Sequence, residues 1–311
     1  MEVKIIEKKV LSSDKTHNLS GVIYLPENPV GFFHIVHGMT EHIGRYDKFM
    51  REMAQNGFIC FGYDHLGHGH TVNDESELGF IASSNGFEKL CKDVGIFAES
   101  VRNEYGRHLP YYLLGHSMGS FIVRLSAVKY IKPDKLIVMG TGGPNPVAGL
   151  GISVAKLIKR IYGEKHVSPL LYSMAFGSYN AKFKAENDSK SWLTKDIEIR
   201  KKYKAEKLCM FKFTVSAMQD LITLNKNSNT KIWFESAAKI CPILLVSGEL
   251  DPVGENGKGV ETVYNNLKSN GADVKLKLYK NCRHEILNDD CYGEVVDDIL
   301  EFVNCEVACN G

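Results

Sequence analysis

The five residues Gly115-His116-Ser117-Met118-Gly119 set a serine between two glycines at a spacing that suits a nucleophile. They fall where a strand should end and a helix begin. Residues 111–114 are an aromatic and apolar run of strand type, and Phe121, Ile122, Leu125 and Val128 then recur at helical spacing. A serine on such a turn lifts its hydroxyl above the sheet, and small neighbours let the backbone take the strained conformation. The turn also aims the next N–H, that of Met118, at the place where an oxyanion would form. Glycine and serine are common, so the pattern gains force only if an acid and a base follow in the right order.

They do follow. Residues 243–247 (Ile-Leu-Leu-Val-Ser) form a near-continuous apolar run, as a strand buried on both faces requires, and lead into a loop with Asp251 at its tip. Residues 274–279 alternate apolar and lysine side chains and lead to Asn281-Cys282-Arg283-His284-Glu285. Nucleophile, acid and histidine thus come in the order Ser117, Asp251, His284, each after a strand. In a parallel sheet those strand ends share one edge, where ligands bind. Upstream, the buried run 30–36 ends in His37-Gly38-Met39, a loop whose backbone N–H at Met39 is placed to be a second oxyanion donor.

The remaining pattern is an alternation of strands and helices. Segments 2–11 and 19–25 read as an opening antiparallel hairpin. Strands are expected at 30–36, 58–63, 111–114, 136–140, 243–247 and 274–279. Helices are expected at 45–56, 86–105, 120–130, 259–270 and 292–303. Such alternation means a mostly parallel, doubly wound sheet. It breaks between Pro144 and Glu235. There Leu150, Val154, Leu157, Ile158 and Ile161 make a helical stripe with Lys156, Lys159 and Arg160 on or beside its polar side. A second helix is expected over 205–224, with Met210, Phe211, Phe213, Met218 and Leu221. These apolar residues suit either an acyl-binding tunnel or packing of the insert on the core.

The segments HGMTEHIGRY (37–46), YDHLGHGH (63–70), GHSMGS (115–120), SGELDPVG (247–254) and RHEILND (283–289) resemble the monoacylglycerol lipase and lysophospholipase branch of the α/β-hydrolases. The resemblance spans most of the catalytic core. It implies a mostly parallel eight-stranded sheet flanked by helices, with a mobile helical cap inserted after the sixth strand. The core would be 1–143 and 236–311, and the cap 144–235. It also implies Ser117 as nucleophile, Asp251 and His284 as its partners, and the amides of Met39 and Met118 as oxyanion hole. The expected substrate is a small lipid ester, monoacylglycerol or lysophospholipid, with transient membrane contact through the cap. Membership alone does not fix the substrate, because the branch holds hydrolases of many esters and thioesters.

Bulk properties fit an ordinary enzyme. The chain has 311 residues, 44% of them hydrophobic, enough for one core with an insert. A formal net charge of +1 gives no case for a nucleic-acid partner. No apolar run is long enough for a membrane-spanning helix, and the first residues lack the pattern of a secretory signal. The eight cysteines, at 60, 91, 209, 241, 282, 291, 305 and 309, show no zinc spacing. They read as reduced, mostly buried thiols of a cytoplasmic protein that could work peripherally at a membrane. Cys282, two residues before His284, is a candidate to line the site.

Other histidines have simpler readings. His65, His68 and His70 in Asp64-His65-Leu66-Gly67-His68-Gly69-His70 could suggest a metal, but the stretch matches the family's D-x-x-G-H-G loop, and no metal site is assigned. His37 reads as structural and His42 as a loop or surface residue. His116 shapes the turn, and Glu285 anchors the histidine loop. The resulting chemistry is two-step acyl transfer, with no cofactor. A thioesterase, an aminopeptidase or an acyltransferase could use the same triad. Glu186, Asp188, Asp196, Glu198, Glu206 and Asp220 are the cap carboxylates available to a substrate amine. A non-catalytic ligand-binding protein is the alternative from another class, and an intact triad argues against it.

Overall fold

In a computed structural model, which describes residues 2–305, eight strands form one sheet. They are β1 (Val3–Leu11), β2 (Asn18–Pro26), β3 (Gly31–Val36), β4 (Phe58–Tyr63), β5 (Tyr111–His116), β6 (Lys135–Met139), β7 (Ile243–Gly248) and β8 (Val274–Tyr279). The order across the sheet is β1-β2-β4-β3-β5-β6-β7-β8. The β1–β2 and β2–β4 pairings are antiparallel, and every other pairing is parallel. Strands β3, β4, β5, β6 and β7 are buried at every position, which is why they read as apolar runs with no alternation. The edge strands β1 and β8 alternate or face water.

Helices α1 (Asp47–Gln55), α2 (Gly86–Tyr105), α3 (Met118–Lys129), α4 (Ala148–Tyr162), α5 (Pro169–Phe176), α6 (Ile197–Ala205), α7 (Val215–Ser228), α8 (Lys231–Ala237), α9 (Lys258–Ser269) and α10 (Tyr292–Asn304) complete the chain. They bury the two faces of the sheet in separate clusters. One holds Phe32, Phe61, Phe97 and Leu113, the other Phe33, Phe49, Leu114 and Val246. The alternation along β3 explains the division, since Phe32 and Phe33 point to opposite faces.

The insert between β6 and β7 holds α4, α5, α6, α7 and α8. The helix expected over 205–224 is corrected: α6 ends at Ala205, and α7 starts at Val215. Between them the chain is not helical. It is held by Thr214 N–H on the Gly79 carbonyl at 2.9 Å, and Phe211 and Phe213 pack edge-on against His68. Thr214 caps α7 through a bond from Ala217 N–H. The stripe on α4 is divided between solvent and core. Ala148, Gly151 and Ala155 are its buried residues, while Leu150 (61% exposed), Leu157 (59%) and Ile161 (62%) face outward. The small residues let α4 lie close on α7, Val154 and Ile158 pack against the core, and Leu150, Leu157 and Ile161 are left to solvent.

The reading of the cysteines as free thiols is corrected at two positions. Cys282 and Cys291 are paired as a disulfide. Their separation of nine residues is no recognisable motif, and only the fold of the loop after β8 brings them together. Cys60, Cys91 and Cys209 are free and buried, Cys241 is half-buried and Cys305 exposed. Cys309 lies outside the described residues.

Candidate active site

Ser117 stands between β5 and α3 with φ 55° and ψ −119°, a backbone conformation few non-glycine residues adopt. Its N–H donates to the Met139 carbonyl at 3.0 Å, which ties the turn to the neighbouring strand. Both flanking glycines are sterically required. A Cβ at Gly115 would collide with the Gly119 backbone, and one at Gly119 with the Val36 carbonyl. A Cβ at Gly38 would lie 2.7 Å from Glu41 and 3.0 Å from the Ser117 Cβ, so the oxyanion-loop glycine lets that loop lie on the serine.

Asp251 is fully buried after β7. Its Oδ1 accepts from Val253 N–H at 2.8 Å, and its Oδ2 accepts from the Ser247 hydroxyl at 3.2 Å. His284 Nδ1 lies 2.9 Å from the same Oδ2. A carboxylate only accepts, so the shared proton sits on Nδ1, and Nε2 is left as the basic nitrogen. The His284 ring is held between two others, His116 at 4.7 Å and Trp192 of the insert at 5.1 Å. Ser117 and His284 line one cavity of about 690 Å³, as do Met39 and Met118. Met118 opens α3, where helical geometry leaves its N–H unpaired. The fold thus brings together at one cavity the residues that sequence order predicts at the strand ends, with Asp251 directly behind His284.

Much of the site's support is invisible in the motifs. Arg45 holds Glu41 (2.7 Å) and Glu285 (2.8 Å), and Tyr46 donates to Glu41 at 2.9 Å. His116 Nδ1 lies 2.9 Å from the Tyr46 hydroxyl and 3.3 Å from Glu41. Glu41 also accepts from Gly38 N–H at 2.5 Å, which fixes the loop that presents Met39. Burial raises the Glu41 carboxyl, but His116 and Arg45 outweigh it and hold the group well below the usual carboxylate range. Burial also opposes the charge on Glu285, and Arg45 again prevails, so that carboxyl too is lowered. His116 is shifted upward, because its bond to Glu41 overcomes burial. Glu41, Arg45 and Tyr46 all lie in the 37–46 segment, where their spacing alone says nothing of a partner at position 285.

His37, His65 and His68 pack ring on ring, with 4.1 Å between the centroids of His37 and His65. His65 Nε2 pairs with the His37 carbonyl at 3.1 Å, and His68 Nδ1 with the Leu66 carbonyl at 3.0 Å. Burial pushes His65 down to about 3 and His68 to about 4, so both are neutral side chains of the core. His70 is exposed. Met210, Phe211 and Leu221 line the cavity, whereas Phe213 and Met218 are fully buried in the core. The apolar residues of the insert therefore divide between binding space and packing.

Residues 27–291 match the family described as serine aminopeptidase, S33. The chain belongs to this family of α/β-hydrolases. Within it the chain falls in the monoglyceride lipase branch. It is 27% identical over 94% of its length to a monoacylglycerol lipase of Mycolicibacterium smegmatis, 98% of which is covered. It is 24% identical to the monoglyceride lipase of Mus musculus, over 90% of this chain and 83% of that one. A thermostable carboxyl esterase from Bacillus coagulans, solved in complex with glycerol, superposes with a TM-score of 0.91 at 28% identity, covering 97% of this chain and 99% of that one. This α/β-hydrolase is a carboxylic ester hydrolase.

Proposed function

We propose that the enzyme hydrolyses lipid monoesters, monoacylglycerol first and lysophospholipid second, through Ser117, His284 and Asp251. The observation that supports this most is the His284–Asp251 pair opening, with Ser117, onto one large and mainly apolar cavity. His284 takes the Ser117 proton as the serine attacks the ester carbonyl. Asp251 keeps the proton on Nδ1 and stabilises the imidazolium. The Met39 and Met118 amides stabilise the oxyanion, His284 protonates the leaving alcohol, and water then releases the acyl group by the same path. Residues 144–235 act as a cap over a core of 1–143 and 236–311. Tyr172, Met174, Phe176, Met210 and Leu221 line the acyl end of the cavity.

The cap carboxylates argue against an aminopeptidase. None of Glu186, Asp188, Asp196, Glu198, Glu206 and Asp220 lines the cavity. Glu186 is held by Arg200 and Arg283, Glu206 by His42, Asp188 by Lys204, and Asp196 caps α6. None is presented to a substrate amine.

The outward stripe of α4, with Leu150, Leu157 and Ile161, supports transient contact between the enzyme and a membrane surface. No helix among the described residues is long and apolar enough to cross a membrane. A panel of monoacylglycerols, lysophospholipids, acyl thioesters and amino-acid amides tests the assignment. The expected result is the highest kcat/KM on a monoacylglycerol. Preference for the amides or thioesters would overturn the reading.

A further inference from the structure

His42, Glu206 and Cys209 take no part in the chemistry above, yet their donor atoms converge. His42 Nε2 and Glu206 Oε1 are 2.6 Å apart, Glu206 Oε2 and Cys209 Sγ are 3.6 Å apart, and all the candidate donor atoms lie within 4.8 Å of one another. Among the described residues it is the one group of three such side chains at this spacing. Imidazole, carboxylate and thiolate together form the donor set of a borderline-soft divalent ion. We propose that these three residues form a Zn²⁺ site, with a solvent molecule as fourth ligand, that pins the cap to the oxyanion loop.

The geometry is close to what the ion requires. A tetrahedral zinc with bonds of about 2.0–2.3 Å holds its donors roughly 3.3–3.8 Å apart. The His42–Glu206 pair has to open and the Cys209 sulfur to draw in, each by roughly 1 Å or less. The chain is already docked there, because the Tyr203 hydroxyl bonds the Thr40 side chain at 2.9 Å and the Thr40 carbonyl at 3.0 Å. Two cations, Arg45 and Lys190, stand close enough to Cys209 to oppose an ion, and Arg45 is neutralised by Glu41 and Glu285. Burial pushes the Cys209 thiol up, so it is protonated without metal, and its S–H lies against the Glu206 carboxylate. Binding therefore exchanges the thiol proton for the ion and releases it to solvent, while the Nε2 proton that His42 donates to Glu206 moves to Nδ1 so that Nε2 can coordinate.

The site joins two distant parts of the chain. His42 follows Met39 by three residues, and Glu206 and Cys209 lie on the turn between α6 and α7. An ion there ties the cap segment to the loop that presents the Met39 amide. It does so whichever ester the enzyme takes, so the proposal is independent of the substrate assignment.

The test uses the full metal-free chain with the Cys282–Cys291 disulfide intact, carrying Cys305→Ser and Cys309→Ser so that no C-terminal thiol competes. Titration with Co²⁺ should give a sulfur-to-cobalt charge-transfer band and the visible bands of a four-coordinate ion, saturating at one ion per chain. Zn²⁺ should displace the Co²⁺ and release a proton from the apo protein. Cys209→Ala should abolish the charge-transfer band. His42→Ala and Glu206→Gln, at half-buried positions, should each weaken binding by roughly 10-fold or more. A band that persists in Cys209→Ala overturns the site. So does the absence of saturable binding in a folded parent chain, or unchanged affinity in both His42→Ala and Glu206→Gln.

Discussion

Arg45 and Glu285 form a two-pronged ion pair, with both N–H···O distances at 2.8 Å, between the helical turn after the oxyanion loop and the residue next to His284. Both are buried and 240 residues apart in sequence. The pair couples the two loops that must cooperate in acyl transfer. Removing Glu285 leaves Arg45 with Glu41 at 2.7 Å as its remaining partner, so the cost should stay below the about 3–5 kcal/mol of a buried charge left wholly unpaired. Glu285→Gln should therefore lower stability in urea by about 1.5–3 kcal/mol, the scale of lost charge-assisted hydrogen bonds. A midpoint unchanged from wild type would show that the pair is not a structural clamp. The pH sign follows from the lowered carboxyls of Glu41 and Glu285. Their stabilisation is present above the ordinary glutamate range and is lost as pH falls through their depressed values. The wild type should thus lose more stability than Glu285→Gln on acidification below about pH 4.5.

Asp220 on α7 makes the opposite prediction. It is buried and accepts from Phe87 N–H at 3.0 Å at the start of α2, yet burial pushes its carboxyl up to about 7. A raised carboxyl pKa removes stability as pH rises from the unfolded value toward the folded one. Asp220→Asn keeps an acceptor for Phe87 and removes the charge. It should raise the melting temperature at pH 8 more than at pH 5, with an upper bound of about 4 kcal/mol at the higher pH. A gain that is equal at both pH values, or absent, would contradict the burial of a charge there.

Met39 is proposed to act through its backbone. Met39→Ala should keep substantial kcat, since the N–H remains. Met39→Pro should lose about 10²–10³ in kcat, the scale of one missing oxyanion donor. Circular dichroism of the proline variant separates lost chemistry from a distorted loop. Equal losses in both variants would assign the thioether to the pocket.

The strands of the sheet were legible because burial on both faces leaves a run of apolar residues that few other elements produce. Ser117 and Asp251 stand out in the sequence because they follow such runs, and His284 because it follows the alternating strand β8. Residues 206–214 were not. Met210, Phe211 and Phe213 look like part of one helix, but Phe211 and Phe213 pack on His68, and Tyr172 and Gly79 hold the backbone of Phe213 and Thr214, at distances in sequence that hide them. On α4 the apolar spacing marks one face, but not that Val154 and Ile158 would pack on the core while Leu150, Leu157 and Ile161 face outward. Glu206 and Cys209 stand 164 and 167 residues beyond His42, so nothing local marks their meeting.

Lys159 must be separated from its neighbours on α4. Its ammonium is turned inward to the Ser83 carbonyl and, at 3.1 Å, the Ser216 hydroxyl. Lys156 and Arg160 are exposed. Replacing these two with Gln should slow hydrolysis of long-chain monoacylglycerol in anionic vesicles, since each cation near such a surface contributes about 1 kcal/mol. A short soluble p-nitrophenyl ester should be hydrolysed at the wild-type rate. Equal responses to both substrates would remove the membrane-contact reading, whereas Lys159→Gln is expected to act on stability.

The proposed acyl transfer turns on Ser117 acting as the nucleophile. Reaction with a fluorophosphonate, followed by peptide mapping, tests it most directly. The account predicts one adduct, on the peptide containing Ser117, lost in Ser117→Ala together with a fall in kcat on the order of 10⁴ or more. Folded Ser117→Ala protein that still takes up the probe, or still turns over ester at near wild-type rate, would contradict it.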